Sequence, residues 1–436
     1  MDNVDRGSWL LPLYLPLVPP LSFLSAARHR DFRLFLVGQF VSLCGTWIQA
    51  VAQGWLVLQL TDSAFAVGLV TALGSLPILL LTLYGGVLAD RVNKRRFVLI
   101  LQSLMAIEGL TLGVLTWLDL VTVHWVMGLA IFFGTLTAFE VPTRQALIAD
   151  IVPRKDLLNA IALGSSAFNV ARVIGPAVAG VLISTVGLAA CFLVNAASYL
   201  AVIASLLMMT TETPPATSTV PHGVALREGF RYIFGNVWPR ALITIVAAFA
   251  VFGFPFMTMM PVFAREALHL DASGYGAMLS SVGLGAAAAA FFMAAAGGRV
   301  PQRLLVFGSA ISFGLILAGA AFAPGFWSAA VLFTLAGCVM ALNGIAVNNM
   351  LQVQAPDSLR GRVMGFYAFV VLGMAPFGSF QAGWIAERFG VRPAVGFGGA
   401  VCFVVAAVVA WRMRGRGKMK QVPPAPPRSP PGAGVA

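Results

Sequence analysis

Gly86-Val87-Leu88-Ala89-Asp90-Arg91-Val92-Asn93-Lys94-Arg95-Arg96 is a short charged break between two long apolar runs, 66–89 and 97–117. Outward from it lie ten more such runs, near 34–59, 123–149, 157–183, 189–210, 240–263, 273–296, 303–322, 327–351, 361–386 and 393–411. A hydrocarbon core of roughly 30 Å takes about 20 residues per helical span, so the pattern predicts twelve transmembrane helices. The composition agrees: of 436 residues, 59% are hydrophobic and 10% charged, and the mean hydropathy is +0.88. A chain with so little charge does not dissolve as a globule, and the bilayer is its solvent.

The one long polar break, Thr210 to Trp238, holds Glu212, Pro214, Pro215, Arg227, Glu228 and Arg231 and divides the runs six and six. The expected organisation is a leader at 1–33, a six-helix bundle at 34–210, a linker at 211–238, a second bundle at 239–411 and a tail at 412–436. Residues 9–25 are apolar, yet Pro12, Pro16, Pro19 and Pro20 break any helix and no clear cleavage site follows, so a surface-lying or disordered leader is expected. The tail is basic and then Pro-rich, a composition that stays extended.

The halves echo each other. Gly85-Gly86 recurs as Gly297-Gly298, Pro153 as Pro356, and Gly175-Pro176 as Ala375-Pro376, at offsets of 212, 203 and 200. Such internal similarity predicts an all-α membrane protein of two pseudo-symmetric six-helix bundles, with a solute site between them near the midplane.

Charge fixes the expected orientation. With the N-terminus in the cytoplasm, 23 of the 28 Lys and Arg fall in cytoplasmic gaps or tails. The opposite face receives Arg265, Arg388 and Arg392, and Arg144 and Arg172 lie inside spans. This is the positive-inside pattern of a bacterial inner-membrane protein with both termini cytoplasmic. The net charge of +12 is therefore topological, and no nucleic-acid partner is expected. Cys44, Cys191, Cys338 and Cys402 stand apart within apolar runs, and His29, His124, His222 and His269 fit no ligand spacing; neither a disulfide framework nor a metal is expected. The Gly283 to Gly285 run in an apolar helix reads as packing rather than a phosphate loop. No cofactor and no enzymatic activity are expected, so energy has to come from an ion gradient.

In position and letters, the loop Gly86 to Arg96 resembles the signature loop of the major facilitator superfamily. Pro142-Thr143-Arg144-Gln145, Asp150, Pro153, Asn159 and Arg172 to Pro176 resemble its siderophore and macrolide efflux branch, and the resemblance covers roughly 27–411. The second-half copy of the loop lacks the aspartate, and Ala171 stands where the antiporter Gly-Pro motif has an earlier glycine. The resemblance implies a cytoplasmic gate of Gly86, Asp90, Arg91, Arg95 and Asp150. In it, Gly86 admits a close helix contact, Asp90 engages the start of span eleven, and Arg91 or Arg95 reaches Asp150. A plain basic topogenic loop is the alternative.

Charges inside spans are costly and flag function, at about 2.5–3.5 kcal/mol each on the insertion scale. Glu140 and Arg144 stand four apart on span four, sharing a face if Pro142 only kinks the helix. Arg172 on span five climbs to a comparable depth, so a cluster of Glu140, Arg144 and Arg172 is expected. Glu140 is read as a proton carrier or as half of a static ion pair; Glu108, alone in span three, is a weaker candidate. On span one, Gln39, Ser42, Thr46, Gln49 and Gln53 form one stripe that faces either a solute path or a neighbouring helix. Phe249, Phe252, Phe256, Met257 and Met260 give span seven an oily face, and Asn343, Asn348, Asn349 and Gln352 add polarity to span ten. The expected cavity residues are Gln39, Thr46, Gln49, Gln53, Phe252, Phe256 and Asn343. Arginines beside aromatics would suit an anionic aromatic solute.

With the resemblance, these features lead to a monomeric proton-coupled exporter of an amphipathic small molecule, a siderophore or a drug such as a macrolide. Two alternatives stand beside it: a facilitator or importer of a small organic anion, and a transport-dead membrane receptor or scaffold.

Overall fold

A computed structural model of the chain describes residues 24–211, 222–296, 300–356 and 359–414. Most of the leader, the Pro-rich tail and the Gly297-Gly298 echo lie outside the described residues. Among the described residues there are twelve apolar helices, eleven long enough to cross a bilayer and one shorter, Leu304–Ala320. Spans one to six are Arg30–Thr61, Ala64–Arg91, Lys94–Trp117, Val123–Ile151, Leu157–Thr185 and Leu188–Met208. Span seven, Val237–Thr258, continues in short turns to Ala267. Spans eight to twelve are Ala272–Ala296, Leu304–Ala320, Phe326–Gln354, Arg360–Phe389 and Val391–Arg412. No strand occurs among the described residues.

Local chemistry sets the helix ends. Asn93 of the charged loop accepts from Arg96 N–H at 3.0 Å and Ser63 from Ala66 N–H at 3.1 Å, so spans three and two start on side-chain caps. Pro142 and Pro176 sit inside continuous helices, which lipid-embedded helices tolerate because neighbouring groups re-satisfy the freed carbonyls.

Without a hydrophobic drive between helices in lipid, small residues decide which backbones meet. Gly134 of span four lies against Gly74 of span two, and Gly285 of span eight lies against the Thr334 carbonyl of span ten. Between the halves, span five packs on span eight and span two on span eleven. At Gly283 a Cβ would stand 3.0 Å from the Arg172 carbonyl oxygen, so the Gly283 to Gly285 run serves helix packing.

The break between the halves, expected as a linker, contains a helix, His222–Gly235. Its Tyr232 hydroxyl donates to the Gln354 carbonyl at 2.7 Å, Glu228 pairs with Arg362, and the Phe230 ring lies 4.4 Å from Phe234 and 5.8 Å from Phe366. Phe230, Ile233 and Phe234 share one face, the amphipathic signal that the polar flanks obscured. In the N-terminal half, Ala26 N–H donates to Asn159 Oδ1 at 2.9 Å and His29 meets Asp156 at 2.9 Å, tying the end of the leader to span five.

Candidate functional site

The halves enclose a cavity of about 380 Å³. Span one contributes Thr46, Gln49 and Gln53, and spans two and four contribute Thr71, Ser75 and Thr137. Its other wall is Met257, Thr258 and Pro261 of span seven with Tyr275 of span eight. No charged side chain is among the lining residues.

Gln49 connects this cavity to a buried polar chain. Its amide nitrogen donates to both Glu108 carboxylate oxygens, at 3.2 and 3.0 Å, and its amide oxygen accepts from Asn195 Nδ2 at 2.7 Å. Ser198 Oγ donates to Asn195 Oδ1 at 3.2 Å. Glu108 is 1% exposed and forms no ion pair among the described residues. Spans one, three and six are thus joined through polar groups that would each cost about 1–3 kcal/mol if left unpaired. From sequence alone Glu108 is a weaker candidate than Glu140, and Asn195 gives no signal, since it is an amide within an apolar run that only its neighbours in space reveal.

Glu140 and Arg144 do meet, Nε to Oε1 at 2.8 Å, and Gln102 donates to the same oxygen at 3.2 Å. Arg172 does not complete the cluster. No ion pair reaches it among the described residues, its buried Nε has no hydrogen-bond partner, and its backbone sits at the contact with span eight.

Three expected cavity residues turn out to be packing. Phe256 stacks on Phe333 of span ten at 5.6 Å, Phe252 meets Phe397 of span twelve edge-on at 6.0 Å, and Asn343 donates to Val306 carbonyl at 2.8 Å and Ser309 Oγ at 3.1 Å in span nine. Within span seven the residues that reach the cavity are Met257, Thr258 and Pro261, displaced around the helix by its π turn Phe249–Gly253, which shifts the register that sequence spacing assumes. Gln39 is buried with an unpartnered Oε1 and does not line the cavity. The anticipated arginines facing the solute are likewise absent from the lining.

The charged loop also differs from expectation. Lys94 Nζ, rather than Arg91 or Arg95, pairs with Asp150 at 2.7 Å, while Arg95 donates to the Leu206 and Leu207 carbonyls at 2.6 and 3.0 Å. Lys94 opens span three and its stem is buried there, which aims it across at span four. Gly85 packs against the Ala138 backbone, whereas a Cβ at Gly86 would meet nothing within 4 Å. Among the described residues, Asp90 and Arg91 form no hydrogen bond or ion pair, so the expected contact with the start of span eleven is not made.

On the face away from the termini the halves are joined. Asp62 pairs with Arg265 at 2.8 Å, Ser63 Oγ and Phe65 N–H both donate to Glu387 at 3.0 Å, and Trp55 stacks on Tyr275 at 5.9 Å. These contacts tie the halves together on that side, whereas at the other face the Asp90 and Arg91 side chains make no such tie among the described residues.

A family profile described as transmembrane secretion effector matches residues 21–429. The chain is 25% identical to the enterobactin exporter EntS of Shigella flexneri over 97% of its length and 98% of that protein. It is 24% identical to a staphyloferrin A transporter of Staphylococcus aureus and 25% identical to the multidrug efflux pump Tap of Mycolicibacterium fortuitum, each over 82% of this chain and 90% of the relative. Among solved structures, a bacterial homologue of the human lysosomal transporter Spinster, in an inward-facing and unoccupied conformation, aligns with a TM-score of 0.66 at 16% identity, covering 88% of this chain and 96% of that one. The nucleoside transporter NupG aligns with a TM-score of 0.62 at 13% identity, covering 88% and 98%.

Proposed function

We propose, from the premise that this chain belongs to the transmembrane secretion effector family of the major facilitator superfamily, that it exports an amphipathic small molecule by proton-coupled alternating access. It acts as a monomer in the bacterial inner membrane with both termini in the cytoplasm. The observation that carries the reading is the cavity between the halves, whose polar wall connects through Gln49 to the buried carboxyl of Glu108. In this reading the present state opens toward the cytoplasm and is sealed opposite by the Asp62–Arg265 pair and the Trp55–Tyr275 stack.

In this reading the proton carrier is Glu108 rather than Glu140, and the surroundings of the two acids support that choice. Glu140 already holds a counter-ion at 2.8 Å, and protonating it would break that pair and strand a guanidinium. Glu108 can exchange a proton while changing only its bond to Gln49, a side chain that also touches the solute space. Glu140 and Arg144 then act as a static tie within span four. The uncharged lining supports a neutral amphipathic drug-like solute ahead of a polyanionic catecholate, and it counts against an importer of small organic anions. A cavity of this size counts against a transport-dead receptor.

The test is efflux from proteoliposomes with and without an imposed pH gradient. Wild type and Glu140→Gln are expected to respond to the gradient, and Glu108→Gln to fall to the leak rate while still binding solute. Gradient-driven transport that survives in Glu108→Gln but disappears in Glu140→Gln returns the carrier role to Glu140. Survival in both sinks proton coupling through these acids.

A further inference from the structure

A second concavity lies on the outside of the C-terminal half, far from the central cavity and at the face that bears the termini. Val237, Arg240, Ala241 and Thr244 from the start of span seven and Val409, Trp411, Arg412 and Met413 from the end of span twelve enclose about 610 Å³. The lining includes two arginines and no carboxylate. Arg240 has only a long contact of 3.4 Å with the Phe234 carbonyl, and Arg412 forms no hydrogen bond or ion pair among the described residues. A third guanidinium, that of Arg303, stands beside them, over the Trp238 ring at 5.8 Å and donating to the Met413 carbonyl. The first turn of span seven adds its positive dipole end, because Asn236 at the N-cap makes no side-chain cap.

The position is that of a lipid headgroup. Val408 and Val404, one and two turns along span twelve from Arg412, are exposed on the outer surface, which in a membrane is the acyl-chain belt. Trp411 is 67% exposed at the end of that belt, the level at which tryptophans sit in an interface. Unpaired arginines above apolar surface and an interfacial indole make a complementary seat for a phosphodiester carried on acyl chains.

We infer that the groove between the start of span seven and the end of span twelve binds an anionic phospholipid headgroup, with Arg240 and Arg412 taking the phosphodiester, Arg303 adding field from the side, and the acyl chains running down past Thr244 and Val408. The inference is independent of what the central cavity carries.

The experiment uses the full chain, delipidated in uncharged detergent, with native mass spectrometry of bound phosphatidylglycerol and phosphatidylcholine of matched acyl chains. Wild type should retain phosphatidylglycerol in clear preference. Arg240→Gln with Arg412→Gln should weaken that binding by roughly twenty-five-fold, about fivefold per arginine. Arg154→Gln with Lys155→Gln, on another loop of the same face, should leave it unchanged. Equal retention of the two lipids by wild type overturns the site and needs no variant to fold. An equal loss in the loop variant shows bulk charge instead of a groove, and displacement of the lipid by millimolar inorganic phosphate reassigns the groove to a soluble anion.

Discussion

In the N-terminal half, Gly134 of span four rests on the backbone of Gly74 in span two; in the C-terminal half, Gly285 of span eight rests on Thr334 of span ten and Gly337 of span ten on Val282 of span eight. The same pair of helices in each half is therefore held by the same device. What fills the two bundles differs. The first carries the chain Glu108, Gln49, Asn195 and Ser198 and the Glu140–Arg144 pair. The second carries rings, Phe249 on Phe313 at 4.5 Å and Phe256 on Phe333 at 5.6 Å, with Asn343 spent on span nine. Backbone contact through small residues sets a repeat in lipid, and side-chain content is then free to diverge. The buried acids among the described residues, Asp31, Glu108 and Glu140, all stand in the first half.

The largest effect should come from the shared device. Gly134→Leu and Gly285→Leu each drive a side chain into a facing backbone, and each is expected to cost about 3 kcal/mol or more of stability, the upper range for overpacking. Both should lose most of the monodisperse fraction on size exclusion in detergent and lower the thermal midpoint alike. A fold that tolerates one and not the other would break the equivalence of the halves.

A smaller effect separates structure from function. Asn195→Leu orphans the buried acceptor Gln49 Oε1, while Asn343→Leu removes the amide that donates to the Val306 carbonyl and Ser309 Oγ, at about 1–3 kcal/mol each. Thermal midpoints should fall by similar amounts. Only Asn195→Leu should also impair gradient-driven efflux, since Gln49 then loses the bond that aims its amide at Glu108. Equal transport in the two variants would mean that the polar chain is scaffolding.

The smallest effect lies at the edge of the N-terminal half. The Asp156 carboxyl is held below the ordinary carboxylate range by hydrogen bonds from His29 and then Ser25. A lowered folded value stabilises above the unfolded value of about 3.9 and is lost as the pH falls through the folded value. The thermal midpoint of wild type should therefore slightly exceed that of His29→Ala near neutrality, and the gap should close on acidification below about pH 4. A gap that is flat with pH would remove the Asp156 contribution.

Hydropathy runs determined by themselves the number of spans, their six-and-six division and the membrane as solvent, because every crossing must satisfy its own backbone hydrogen bonds and so needs a full apolar helix. Period alone also marked the span-one stripe, of which Thr46, Gln49 and Gln53 do line the cavity. Which of the buried acids Glu108 and Glu140 stands without a counter-ion, which cation meets Asp150, and which face of span seven looks inward were decided by tertiary structure. Each depends on helix rotation and on partners far away in the chain: Asn195 lies 146 residues from Gln49, and the π turn in span seven re-aims everything beyond it. A one-dimensional pattern places a residue on a helix; only packing in three dimensions says what that residue touches.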